Sequence, residues 1–100
     1  MANILTIMLS FSKDKNPFQI RHELAQKVKF LRKQKKYSQQ ELAQRSNVSL
    51  GSYKRFERSG QISLEALLRI AFILDRLEEF DKLLIPNHLI EIEKLFKEEK

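Results

Sequence analysis

The sequence predicts an all-α domain of five short helices with a short N-terminal β-strand arm. Three observations carry this. Apolar residues recur at helical spacing through most of the chain after residue 16. Side chains suited to capping helix N-termini stand just before those runs, at Asn16, Ser38, Ser49 and Ser63. Only one segment alternates with period two, and it lies at the start, from Ile4 to Phe11. A chain of 100 residues is one domain's worth, and its 42% apolar content, with seven Phe and two Tyr, is enough for a real core.

In Ile4–Phe11, Leu5, Ile7, Leu9 and Phe11 share one face and Thr6 and Ser10 the other, which predicts a strand. Residues 1–15 are therefore expected as an arm, 16–85 as the domain proper and 86–100 as a helical or flexible tail. Asn16-Pro17 opens the first helix, with Gln19 placed for a capping box. Its apolar side is Ile20, Leu24, Val28 and Leu31, and its end is expected near Lys35–Lys36. Ser38 and Glu41 form the next capping box, Leu42 and Ala43 start a short apolar face, and Asn47 suits the left-handed stop. Ser49 caps a helix over about Leu50 to Arg58, with Tyr53 and Phe56 inward, ended by Ser59-Gly60. Ser63 caps a fourth helix with Leu64, Leu67, Ile70, Ala71 and Leu74 on its apolar side. A fifth, about Leu77 to Leu84, carries Leu77, Phe80 and Leu84. Pro86 breaks the chain, and residues 87–98 are helix-permissive.

Composition narrows the function classes. With no Cys, neither a disulfide framework nor a thiolate metal site can form. The two His, His22 and His88, are far apart and read as incidental, so no metal is expected. No apolar run approaches the roughly 18 residues of a membrane span, and the early apolar stretch lacks a preceding basic residue, so no signal peptide is expected. The expected location is cytoplasmic, with the nucleoid. Charge is split: residues 1–60 carry 13 Lys+Arg against 4 Asp+Glu, and residues 61–100 carry 6 against 9. A basic front and an acidic back suit a polyanion on one side; solvated lysine faces are the competing explanation. Nowhere does the sequence offer a nucleophile–base pair or a phosphate loop, so no enzyme activity and no cofactor are expected.

Gln39 to Arg58 is the most informative stretch: a short helix, a three-residue turn and a second helix, with the small Ala43 at their crossing. Leu42, Val48, Tyr53 and Phe56 are expected to lock the pair to the core, leaving Leu50, Gly51, Ser52, Lys54, Arg55 and Arg58 outward. The run YSQQELAQRSNVSLGSYKRFERSGQISLEALLRIAFIL, extended back to LAQKVKFLRKQKK, resembles the helix-turn-helix domains of lambda-repressor-like and Cro-like proteins, the xenobiotic-response-element family. The resemblance covers roughly residues 20 to 84. It rests on a composite in order: Ser-Gln-x-Glu-Leu-Ala, Val-Ser, Glu-x-x-Gly, then a Ser-Leu helix. Four positions depart from the family pattern. Asn47 and Lys36 stand where Gly is usual, and Leu50 with Gly51 replace polar residues that often read bases.

That resemblance implies a role for each outward residue. The second motif helix would enter the major groove and bring Leu50, Gly51 and Arg55 to base edges, with Lys54 nearby. Arg55 has the fork for guanine, with a phosphate contact as the alternative. Leu50 would touch a thymine methyl or simply cover the motif, Gly51 would allow close backbone approach, and Ser52 would meet a phosphate or a base. Gln39 would donate to a phosphate at its helix N-terminus. Gln40, Arg58, Ser59, Gly60 and Gln61 would flank the groove, with plain exposure as the alternative. Lys33, Lys35 and Lys36 read rather as a solubility face. Arg32 and Glu57 match a pair the family uses as a partly buried ion pair.

The implied function is a sequence-specific DNA-binding transcriptional regulator, a repressor, acting as a homodimer on inverted-repeat double-stranded DNA. The alternative is the antitoxin of a type II toxin–antitoxin pair. The run YKRFERSGQISLEALLRIAF with LEEFDKLL looks like small regulators paired with kinase-like toxins, and the acidic C-terminal part would meet the toxin protein. A lone strand needs a partner for its backbone groups. The simplest is the same strand of a second copy across a two-fold axis; a disordered arm, or a strand docked on its own helices, are the alternatives.

Overall fold

The structure, a computed structural model, describes residues 15–86 and 89–97. The expected strand at Ile4–Phe11, and His88, lie outside the described residues. Among those described there are six helices and no strand: α1 (Pro17–Gln34), α2 (Gln39–Arg45), α3 (Leu50–Ser59), α4 (Leu64–Ile73), α5 (Leu77–Asp81) and α6 (Leu89–Lys97). The sixth falls where the sequence is helix-permissive, one more than the five-helix expectation.

The caps explain where the helices start. Asn16 Oδ1 accepts from the Gln19 amide at 2.9 Å while Gln19 Oε1 accepts from the Asn16 amide at 3.0 Å, a complete capping box. Ser38, Ser49 and Ser63 each accept one amide, from Glu41, Ser52 and Ala66. At Ser38 Glu41 does not return the bond expected of a box; its carboxylate reaches Arg45, one turn on. Arg76, before α5, makes no side-chain cap bond.

Three helices end in one way. After α1, α2 and α4 a left-handed residue follows the cap: Lys36 at φ 62°, Asn47 at 56° and Asp75 at 61°. The next amide then reaches back five residues: Tyr37 to the Arg32 carbonyl, Val48 to Ala43, and Arg76 to Ala71. Asn47 is as the sequence suggests, and Lys36 takes the glycine-like conformation without being glycine. Lys35 Nζ meets Asp75 Oδ2 at 2.9 Å and so links the ends of α1 and α4; the carboxylate raises the lysine's pKa.

The core gathers Ala25 and Val28 of α1, Leu42 and Ala43 of α2, Tyr53 and Phe56 of α3, and Leu67, Ile70 and Leu74 of α4. Phe56, Leu42, Ile70 and Tyr53 are its largest fully buried side chains; each removes enough apolar surface from water to contribute about 1.5–3 kcal/mol. α1 and α2 both pack on α3, and α4 packs on α2 and α5. Four residues of the expected apolar faces, Ile20, Leu64, Leu77 and Leu84, are exposed. α5 stops at Asp81, short of the expected Leu84, which is left-handed at φ 58° and 99% exposed because the short helix ends before it can turn that side chain back. Leu64 occupies the first turn of α4, ahead of its buried residues Ala66 and Leu67.

α1, α4 and α5 enclose an apolar groove of about 620 Å³ lined in part by Ile20, Phe30, Leu67, Phe80 and Leu83; none of its lining comes from α2 or α3.

Candidate nucleic-acid interface

α2, the turn Ser46-Asn47-Val48-Ser49 and α3 form the helix-turn-helix. Leu42, Ala43, Val48, Tyr53 and Phe56 are buried, as the motif requires. Arg69 of α4 steadies the turn by donating from Nε to the Ser46 carbonyl at 3.1 Å. On the other side α3 presents Gly51, Ser52, Lys54, Arg55 and Arg58 to solvent, with Leu50 half-buried. The sequence-level set thus falls on one exposed, cationic helix face. Space is open above Gly51: a Cβ there would meet nothing within 4 Å.

α3 is held in place by a buried polar network. Arg32 of α1 donates from Nε to Glu57 Oε2 at 2.7 Å and from Nη2 to Oε1 at 3.4 Å. Tyr53 donates its hydroxyl to the same Oε2 at 2.5 Å, and Gln39 donates from Nε2 to Oε1 at 2.9 Å. Arg32 also caps the Tyr37 carbonyl at 2.8 Å. The side chains of Arg32 and Glu57 are only 9% and 6% exposed, so a bare charge here would be costly. Burial pushes the Glu57 carboxyl up, but hydrogen bonds from Arg32, Tyr53 and Gln39 and the Arg32 charge outweigh it and hold the group below the usual carboxylate range. Burial likewise works against the Arg32 cation, yet Glu57 leaves its pKa raised. Tyr53 stays a neutral donor: burial, then its bond to Glu57, push its hydroxyl up.

The flanking residues separate into distinct environments. Gln40 and Gln61 are exposed. Gln39 is half-buried, and its amide is turned to Glu57 rather than to solvent. Ser59 Oγ donates to the Arg55 carbonyl at 2.7 Å and accepts from the Gln61 amide at 3.2 Å. Gly60 is buried at φ 78°; a Cβ there would lie 2.4 Å from Arg21 Cγ and 2.7 Å from the Arg21 carbonyl oxygen. That glycine lets α1 pass close to the end of α3, where Arg21 Nε holds the Ser59 carbonyl at 3.1 Å. Lys33, Lys35 and Lys36 are exposed around the end of α1. A cleft of about 430 Å³ opens beside the helix face, with Asn47, Ser49, Ser52, Arg55, Gln61 and Arg69 in its walls.

Sequence reasoning paired Arg32 with Glu57 but gave Tyr53 to the core and Gln39 to phosphate alone. The four-residue spacing of Tyr53 and Glu57, one helical turn, was the available signal. Arg21 and Arg69, which brace the motif from outside it, carried no local signal. His22 lies against Phe18 with ring centroids 4.5 Å apart and planes tilted by 51°. Among the described residues no group of three or more His, Cys, Asp or Glu is placed to hold a metal ion, and no helix is long and apolar enough to cross a membrane.

A sequence profile of the helix-turn-helix family matches residues 28–80, just over half the chain, from the middle of α1 to α5. No curated protein and no solved structure gives a significant match. The profile match, laid over an α2–turn–α3 unit with this packing, places the chain in the lambda-repressor-like, xenobiotic-response-element family of helix-turn-helix DNA-binding regulators.

Proposed function

We propose that the protein is a sequence-specific repressor that binds an inverted-repeat operator as a homodimer. The observation that carries this is the exposed Lys54–Arg55–Arg58 face on a helix whose other side is locked by the Arg32–Glu57 network. A cationic helix that cannot rock on its support suits base readout, because its side chains arrive at the groove already placed. In this reading α3 lies in the major groove. Gly51 allows close approach, and Leu50 and Arg55 face base edges. Ser52, Lys54, Arg58 and Gln40 hold the backbone, and Gln61 stays on Arg55. Gln39 and Ser59 reach it only by giving up bonds they already make, and Gly60 contributes through its backbone.

A dimer would set two α3 helices about 34 Å apart, one turn of DNA. The period-two arm at Ile4–Phe11 is the proposed pairing element. Selection of bound duplexes from a randomised library tests the reading: an inverted repeat with half-sites one turn apart supports it, and enrichment of no motif refutes it. Removal of residues 1–12 followed by mass measurement tests the arm. A truncated chain that stays dimeric would move the interface elsewhere.

A second reading, the antitoxin of a kinase-like toxin, draws on the exposed apolar run Leu83, Leu84 and Ile85 beside the groove of α1, α4 and α5. Such a surface is unusual on a solitary regulator. A toxin gene next to this one, with a stable complex of the two products, would decide for it.

A further inference from the structure

One side chain on the exposed face of α3 has its direction fixed by another. Arg55 donates from Nε at 2.8 Å and from Nη2 at 2.6 Å to a single oxygen, Oε1 of Gln61. Gln61 is itself held, through its backbone amide on Ser59 Oγ, and Ser59 Oγ is in turn bound to the Arg55 carbonyl. Arg55, Ser59 and Gln61 therefore close a small ring at the end of α3.

A guanidinium carries five N–H donors and no acceptor, so the amide oxygen of Gln61, not its nitrogen, must face it. Two consequences follow. The side edge of Arg55, Nε with Nη2, is used up, and the edge left to solvent is the end-on one formed by Nη1 and the second hydrogen of Nη2. Gln61, with its oxygen turned inward, shows two N–H donors outward. The pair presents donors only, so it is matched to a base edge that carries acceptors only. In the major groove guanine has that edge, with N7 and O6 side by side.

We propose that Gln61 is a positioning residue for base readout, fixing Arg55 so that its end-on edge meets N7 and O6 of a guanine. The inference rests on the DNA-binding reading above. A free arginine on a helix surface carries substantial rotamer freedom and turns readily to the nearest phosphate. Held by Gln61, it has lost that freedom before DNA arrives, and the ordering cost no longer weighs on binding. Charge is the same with or without Gln61. The amide therefore changes which base is preferred and leaves the general attraction to DNA unaltered.

The test uses the full chain, an operator obtained by selection, and the same operator with each of the other three base pairs at the position whose preference Arg55→Ala alters. A bidentate contact discriminates by about 5- to 150-fold. Gln61→Ala is expected to lose most of that preference while keeping the affinity for non-operator DNA, the salt slope and the melting temperature. In an Arg55→Ala background, Gln61→Ala is expected to change the preference no further, and Arg55→Lys should lose it with the charge retained. Additive losses in the double variant would make Gln61 a DNA contact in its own right and overturn the inference. Full guanine preference in Gln61→Ala, or no position at which Arg55→Ala changes the preference, would overturn it too. A wild-type chain that binds no duplex at all would instead refute the function on which the inference stands.

Discussion

Removing the Glu57 carboxylate should be among the most damaging single changes in the domain, because of the charge it leaves behind. Its carboxylate takes hydrogen bonds from Arg32, Tyr53 and Gln39 and is the only carboxylate within ion-pair distance of the Arg32 guanidinium among the described residues. Glu57→Leu leaves a buried cation with no carboxylate partner, held by the Tyr37 carbonyl. An unpaired buried charge of this kind costs about 3–5 kcal/mol, against a total of about 5–15 kcal/mol for a domain of this size. Arg32→Met should cost less, because Tyr53 and Gln39 still donate to the carboxylate. The double change Arg32→Met with Glu57→Leu removes both charges and should return to within about 2 kcal/mol of the wild type. Urea unfolding at pH 7, with the slope held common, measures all four proteins. Acid adds a second readout. The folded-state pKa of Glu57 lies below its unfolded value, so the group stabilises the domain above the ordinary carboxylate range, and that contribution is lost as pH falls through the folded pKa. Glu57→Gln should flatten this part of the pH profile. A double-mutant cycle with coupling near zero, or an acid profile unchanged by Glu57→Gln, would refute the reasoning.

Three further outcomes are expected. Gly60→Ala should lose about 2–5 kcal/mol, since it joins left-handed strain to a clash with the Arg21 backbone; a melting temperature within a degree of the wild type would contradict the close approach. Lys36→Gly should gain about 1 kcal/mol by relieving a left-handed lysine, less the entropy of a looser unfolded chain, and unchanged thermal unfolding would show that the conformation costs nothing. Operator affinity should fall by about 10³–10⁵ between 50 and 200 mM salt if a dimer makes some 6–10 phosphate contacts, and a flat response in a titration would exclude a backbone-driven complex.

The helices of the motif could be read from the sequence because each of their starts is written in a local code. Asn16, Ser38, Ser49 and Ser63 all cap as their types suggest. Ends were harder: Asn47 announced itself, whereas Lys36 and Leu84 are left-handed with no residue preference to say so. The outward face of α3 was legible from periodicity alone, since its inward residues Tyr53 and Phe56 are unmistakable. What periodicity could not show is which polar side chains spend their hydrogen bonds on each other. Gln39 on Glu57 depends on how α2 crosses α3, and Gln61 on Arg55 on how the chain turns after Gly60.

The way α3 is fastened also bears on the DNA. Its middle is tied to α1 through Glu57, and its end is pressed against Arg21 at Gly60. Gly60 is itself locked by that contact, so no hinge separates α3 from the body of the domain. On the proposed reading, a recognition helix this stiff would not adjust to a half-site that is slightly overtwisted or set at the wrong phase. The misfit would pass to the double helix, whose bending and twisting stiffness depends on base sequence. Base pairs between the half-sites, touched by no side chain, would then be selected for their compliance, and binding would discriminate among operators with identical contacts by how readily their centres deform.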